Sequence, residues 1–348
     1  MRIAFDLSCS EPGTSAAYAA DLARALVAEE PRYSWFFFGA ARNIPAGGRP
    51  LTLESVKSCD VQVFHYPVFF SRYLGFEPCI VGVHDVLFLT RSHEYADSTR
   101  RKMEDALNRA LRSARILAVP SVASMKDLVK LTGVSEASVR VIPLAPRKAF
   151  RKIDPVLARS WVKRELGLSG DFLLMVGAEY PRKNLWGVIE AMIAITRKRR
   201  GVKLLVVGTS KSRRQKARGY AESIGLDPQC LAFLDLVTDE QLVMLYNASA
   251  ALVYVSFKEG FGLPPLEAFA CGIPVVCSRK PAMTEVLKDA AAYVEPERPD
   301  DIADACLRVL EDTNFAKAKA RAGQELVKQY TWEKAARTVL QIYRDMLA

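Results

Sequence analysis

Histidine is scarce in this chain, with three among 348 residues. Cysteine occurs seven times, but no C-x-x-C pair is formed. Together these argue against structural zinc and for thiols that stay reduced. No Asp-x-Asp occurs, so there is no obvious acidic clamp for a metal. No apolar run approaches the ~18 residues that a membrane span needs. Met1–Asp6 reads as a first strand, and no secretory apolar region follows it. The expectation is a cytoplasmic protein with no resident metal or cofactor.

What is present points to two cores. Half of the residues are hydrophobic, and the length suits two domains. The net charge is +10. Residues 1–150 carry 19 basic and 15 acidic side chains and the rest 30 and 24, so neither half holds the whole excess. One local run stands out, Arg197 to Arg218, with ten Lys/Arg and no acid. A solvated face is one reading. A peripheral contact with an anionic membrane surface, or with a lipid-linked acceptor, is the other. Nucleic acid is disfavoured, because no stacking aromatics interleave the run.

The most informative stretch is Lys258 to Val276. Leu252 to Phe257, just before it, is apolar and reads as a buried strand. Gly260 and Gly262 permit unusual backbone angles and close approach of a ligand. Pro264 and Pro265 suit a first helical turn, where a missing N–H is harmless. Gly272 and Pro274 end that helix. Amides from Gly260, Phe261, Gly262 and Leu263 thus open a helix, and a helix N-terminus attracts anions. Glu259 and Glu267 flank this phosphate-sized cradle. A carboxylate beside a phosphate is repelled by it, so sugar hydroxyls are its natural partners. The plainer alternative is a strand–helix corner with two solvated glutamates.

The whole string resembles the E-x7-E signature of retaining, nucleotide-sugar-dependent glycosyltransferases of family four, which have the GT-B fold. That resemblance implies an α/β chain of two facing Rossmann-like domains. Residues 1–150 would form the acceptor side, with a C-terminal helix (331–348) crossing back to it. Residues 151–330 would bind the nucleotide sugar. Glu259 would contact the transferred sugar and Glu267 the ribose. Backbone amides at 260–263 would hold the sugar and diphosphate.

Other segments extend the resemblance. Phe172 to Val176 reads as a strand leading into Gly177-Ala178-Glu179-Tyr180-Pro181-Arg182-Lys183-Asn184. This is similar to the family's diphosphate segment, with Lys183 in the phosphate-binding place. The family often has Arg where Ala178 stands, and Arg182 is the substitute offered here. His84, in a His-Asp pair after the strand Cys79 to His84, matches a histidine lining the sugar and acceptor site. As residues alone, His65 and His93 carry no such motif. Gly13 lies in the loop after the first strand, where the family places a Gly-rich turn. Backbone near Val237 would hold the base, and Ser278 to Glu285 would border the phosphate and sugar.

The resemblance implies transfer of a hexose to a glycan or lipid-linked acceptor in cell-surface polysaccharide synthesis, with a lean towards GDP-mannose. A sugar-nucleotide epimerase, a phosphorylase and a catalytically silent sugar-nucleotide sensor are the alternatives. Glu259, Glu267, Lys183 and His84 are all intact, which favours an enzyme.

Overall fold

The run Trp35-Phe36-Phe37-Phe38 is buried along its whole length, on both faces. Only a strand covered on both sides achieves this, and such strands belong to parallel sheets. The computed structural model describes residues 1–8 and 14–348. The chain divides into two units, Met1–Ala145 with Tyr330–Ala348, and Pro146–Gln329.

Unit 1 carries a parallel sheet of seven strands. They are β1 (Arg2–Asp6), β2 (Ser34–Phe38), β3 (Gly48–Pro50), β4 (Val63–Tyr66), β5 (Cys79–Gly82), β6 (Ala114–Val119) and β7 (Val139–Val141). Their order is β3-β2-β1-β4-β5-β6-β7. Phe5 pairs with Phe37 on one side and His65 on the other, which sets the central register. The helix Thr14–Glu29 buries Ala19, Leu22, Ala23 and Leu26 at helical spacing. It packs on the last helix, Trp332–Leu347, which buries Trp332, Ala336, Val339, Tyr343 and Met346. Tyr343 from that helix places its hydroxyl 2.7 Å from His65 Nδ1 on β4. Burial holds the His65 imidazole neutral, its pKa pushed down to about 3. His65 is therefore a core group that pins the last helix to the sheet.

Unit 2 carries six parallel strands: β8 (Phe172–Val176), β9 (Lys203–Val207), β10 (Leu231–Leu234), β11 (Ala251–Tyr254), β12 (Val275–Ser278) and β13 (Ala292–Val294). Their order, β10-β9-β8-β11-β12-β13, is the Rossmann order, whose direction of growth reverses between β8 and β11. Leu173 and Met175 of β8 meet Leu185, Val188, Ile189 and Met192 of the helix Leu185–Lys198 in one core.

Several boundaries differ from the sequence reading. The expected strand 252–257 stops at Tyr254; Val255 and Ser256 stay buried but leave the ladder. Likewise Cys79 to His84 shortens to Cys79–Gly82. Residues 48–50, read as loop, pair with Trp35, Phe36 and Phe37 as β3. The basic run 197–218 is spread over a helix end, β9 and the helix Lys211–Ser223. Arg199 pairs with Asp171 and Arg214 with Asp235, while Arg213 and Arg218 lie over Trp186 and Phe233. Those four side chains are engaged within the unit.

Candidate active site

Ligands of open α/β sheets bind beyond the strand ends where the order reverses. In unit 2 this selects the loops after β8 and β11. The β8 loop turns at Gly177 (φ 73°) and closes in a short 3-10 turn, Pro181–Lys183. Asn184 follows in the left-handed region, φ 61°. It is held there by its own side chain, which caps the next helix through Gly187 N–H and donates 2.6 Å to the Pro296 carbonyl. A Cβ at Gly187 would lie 2.6 Å from the Asn184 side chain, so the turn and the helix start are made for each other. The β11 loop is tied to it by Phe257 N–H, which donates 2.8 Å to the Arg182 carbonyl.

These turns bring Lys183 and Glu259 together. Lys183 Nζ stands 2.7 Å from Glu259 Oε1, with the two side chains 12% and 9% exposed. The same ammonium donates 3.0 Å to the Tyr254 hydroxyl and lies 4.7 Å from the centre of that ring. Burial pushes the Glu259 carboxyl up, but Lys183, Arg182 and Ser256 outweigh it, and the group sits below its ordinary value. Glu259 is thus a buried carboxylate that stays ionised. Burial, and then Glu259, hold the Tyr254 phenol far above its usual range, so it remains protonated. Arg182 lies over the Tyr180 ring at 4.3 Å.

The helix Leu263–Ala270 starts beside them. Gly262 caps it at φ 95°, where a Cβ would meet Met283 Cε at 2.6 Å. Four N–H groups at a helix start lack intrahelical partners. Pro264 and Pro265 occupy two of those places and carry no N–H, so Gly262 and Leu263 supply what the helix turns outward. That is a narrow donor set, suited to one phosphate-sized anion. Met283 belongs to the Ser278–Glu285 segment, which therefore borders the cradle.

Glu267 lies deeper on the same helix, with a side chain 6% exposed. Arg147 Nη2 reaches its Oε1 at 3.1 Å, and the Tyr246 hydroxyl donates to Oε2 at 3.2 Å. Arg147 also pairs with Asp239. Burial leaves the Glu267 carboxyl raised, although Arg147 and Tyr246 counter it. Along the strand ends, Gly208 (φ 75°) stands beside Gly177 and Leu236. Leu236 is 90% exposed, and its neighbour Val237 is half-buried in the loop after β10.

His84 belongs to unit 1, two residues past β5. Its Nε2 donates 3.1 Å to the Pro67 carbonyl, and the Tyr18 ring meets it edge-on at 4.6 Å. That bond fixes the proton on Nε2, leaving Nδ1 as an acceptor. Burial pushes its pKa down to about 4. A Cβ at Gly82 would fall 2.0 Å from the Pro67 oxygen, so glycine is required where this carbonyl crosses β5. Gly13 lies outside the described residues.

Unit 2 therefore unites Lys183, Arg182, Glu259 and the 260–263 turn, with Glu267 on the helix they open. Sequence reading missed Tyr254 and Arg147. An aromatic in a buried strand reads as core, and an arginine in a basic linker, here Leu144 to Asp154 before the helix Pro155–Leu166, reads as solvated. Among the described residues no group of His, Cys, Asp and Glu could hold a metal ion, and no helix is long and apolar enough to cross a membrane.

Comparison with known proteins bears on the fold and on the kind of enzyme. The family described as "Glycosyl transferases group 1" matches residues 162–329, nearly all of unit 2. The O-antigen chain mannosyltransferase B of Escherichia coli is 28% identical over 291 residues, 81% of this chain and 74% of that protein. The serotype-specific mannosyltransferase WbdA of Escherichia coli is 27% identical over 270 residues, 76% of this chain. The match spans 33% of the WbdA length. Among solved structures, Anabaena HepE in complex with UDP and glucose superposes with a TM-score of 0.77 at 19% identity, covering 98% of this chain and 99% of that one. Residues 162–329 carry the match to the group 1 glycosyl transferases, and the chain is a glycosyltransferase with the GT-B fold.

Proposed function

We propose that the protein is a retaining glycosyltransferase that moves a hexose from a nucleoside-diphosphate sugar, with GDP-mannose the favoured donor, to a glycan or lipid-linked acceptor of cell-surface polysaccharide. The observation that carries this reading is the buried Lys183–Glu259 pair beside the start of the helix Leu263–Ala270. It sets a cation for a diphosphate next to an ionised acceptor for sugar hydroxyls. The mannosyl lean is supported by the similarity to the two Escherichia coli mannosyltransferases.

In this reading the diphosphate lies against Lys183 and the Gly262 and Leu263 amides. As the bond from the anomeric carbon to the diphosphate oxygen breaks, the electron pair leaves on that oxygen. Lys183 and Arg182 then face growing negative charge, as preorganised donors do in other transfer reactions. The acceptor hydroxyl attacks from the leaving-group face and gives its proton to the departing diphosphate. The new bond retains the anomeric configuration, and no protein nucleophile is needed. Glu259 orients the sugar and steadies the positive charge on its ring. His84 Nδ1 is available as an acceptor for a substrate hydroxyl, and Glu267 accepts from the ribose.

The first test is a thermal-shift screen against UDP, GDP, ADP and dTDP. A ligand at about 100 times its dissociation constant adds about 2.7 kcal/mol, a shift that is easily read. GDP alone should stabilise the protein, and stabilisation by another nucleotide would move the donor assignment. Glu259→Gln should then keep the fold and bind the nucleotide while losing most transfer. Transfer near the wild-type rate in that variant would overturn its role. Isomerisation of the donor without acceptor would point instead to an epimerase.

A further inference from the structure

We infer that Arg147 is a positioning residue for nucleotide binding: it holds the buried Glu267 carboxylate ionised and aimed so that its remaining lone pairs face the ribose hydroxyls. This rests on the proposed ribose contact of Glu267.

The geometry around Arg147 is that of a built device. Its guanidinium meets Glu267 Oε1 through Nη2 at 3.1 Å and Asp239 through Nη1. Its plane lies over the Phe150 ring, 4.8 Å from the centroid. Phe150 in turn meets Tyr246 edge-on at 5.7 Å. Tyr246, fully buried, closes the circle by donating to Glu267 Oε2. A guanidinium fixed by two carboxylates and a ring has lost the freedom of a surface arginine. Its planar fork serves both carboxylates at once, which a lysine ammonium does less well.

The charge balance explains why the device is needed. A carboxylate accepts about four hydrogen bonds, and two are taken here, leaving capacity for a diol. A protonated carboxyl would spend one oxygen as a donor. Burial drives Glu267 in that direction. The groups that face it are Arg147 from the linker, Asp239 and Tyr246 from the helix Asp239–Ala248, and Cys271 just past its own helix. Arg147 is the cation of that set, and Asp239 is a like charge that it also neutralises. Without Arg147, Glu267 would face both burial and an uncompensated Asp239, and it would keep its proton to higher pH.

The test is calorimetric titration of the nucleoside diphosphate identified by the screen, over a pH series that rises from the ordinary carboxylate range into the alkaline. Wild type should lose affinity only towards the acid end. Arg147→Met should move the acid limb to higher pH, bind about tenfold or more weakly than wild type on that limb, and regain affinity as the pH rises, one pKa unit being a tenfold effect. Asp239→Asn, a milder and partly exposed change, should move the acid limb the other way, to lower pH. A loss in Arg147→Met that is the same at every pH marks a structural role and overturns the inference. An Asp239→Asn limb that stays in place or moves to higher pH also overturns it, even if Arg147→Met does not fold. Glu267→Gln separates this from the underlying reading. Weak, pH-independent binding in Glu267→Gln upholds the ribose contact whatever Arg147 does, and wild-type binding there removes the contact itself.

Discussion

Beyond the strands of unit 1, His84 lies against a carbonyl and at right angles to a tyrosine ring; beyond those of unit 2, Lys183 lies against a carboxylate and over the face of another such ring. The first six strands of each unit have the same order. Both loops bury an ionisable group, and the outcomes are opposite. His84 has no charged partner in the contacts described, so burial leaves it neutral, with a pKa of about 4. Glu259 is buried as well, but Lys183, Arg182 and Ser256 enter with it, and it stays charged. One sheet topology thus supports a neutral hydrogen-bonding site and an ionic one. The loops decide which, according to whether a counter-charge is buried along with the group.

The sharpest way to break the ionic site is to remove its cation. Lys183→Ala should lower turnover on the order of 100-fold or more, the scale seen when a preorganised charge stabiliser is lost. Steady-state kinetics with the cognate donor reads this directly, and near-wild-type turnover would take the β8 loop out of the mechanism. Glu267→Ala should act on affinity. A charge-assisted contact is worth roughly 1.5–3 kcal/mol, so nucleoside diphosphate binding should weaken roughly tenfold to a hundredfold by calorimetry.

The neutral site is sharpened by acid. The folded pKa of His84 lies below the unfolded value of 6.5, so between 6.5 and about 4 the unfolded chain binds more protons. Stability should therefore be full above 6.5 and fall as the pH drops towards 4. His65 adds to this fall with the same sign. Urea unfolding should show the loss, and His84→Gln should make it shallower. An unchanged slope in that variant would mean that His84 is not the neutral group described. The smallest effect is expected from Arg182→Ala. Arg182 acts on Glu259 from over the Tyr180 ring, and Lys183 makes the close ion pair. Turnover should fall less than about tenfold, the range of a partly screened charge. A larger loss than for Lys183→Ala would exchange their roles.

Particular residues show what was legible beforehand. Phe172–Val176 is a strand in both readings, because five apolar residues before a glycine leave little choice. Val255 to Phe257 looked like more of β11, yet apolarity reports burial and not pairing, and the chain there has already left the sheet. Gly48–Pro50 carries no strand signal; it becomes a strand because Trp35 to Phe37 offer it an edge. The Glu259 loop is legible through its resemblance to the E-x7-E signature and the Lys183 loop through its resemblance to the family's diphosphate segment, but no spacing joins Lys183 to Glu259. Arg147 was out of reach altogether. Nothing in a proline-flanked basic linker distinguishes the arginine that meets Glu267 from its neighbours Lys148 and Arg151.

The Lys183–Glu259 pair has one more consequence under the proposed function. A diphosphate arriving at Lys183 finds the place already held by an anion 2.7 Å away. That anion belongs to the same chain, so its effective concentration is high and never diluted. It competes with the donor on entry, and it is ready to take the ammonium back when the nucleoside diphosphate departs. Equilibrium affinity is lowered by this rivalry and release is hastened. Where product departure limits turnover, as it does in many enzymes, a contact that weakens binding makes the catalytic cycle run faster.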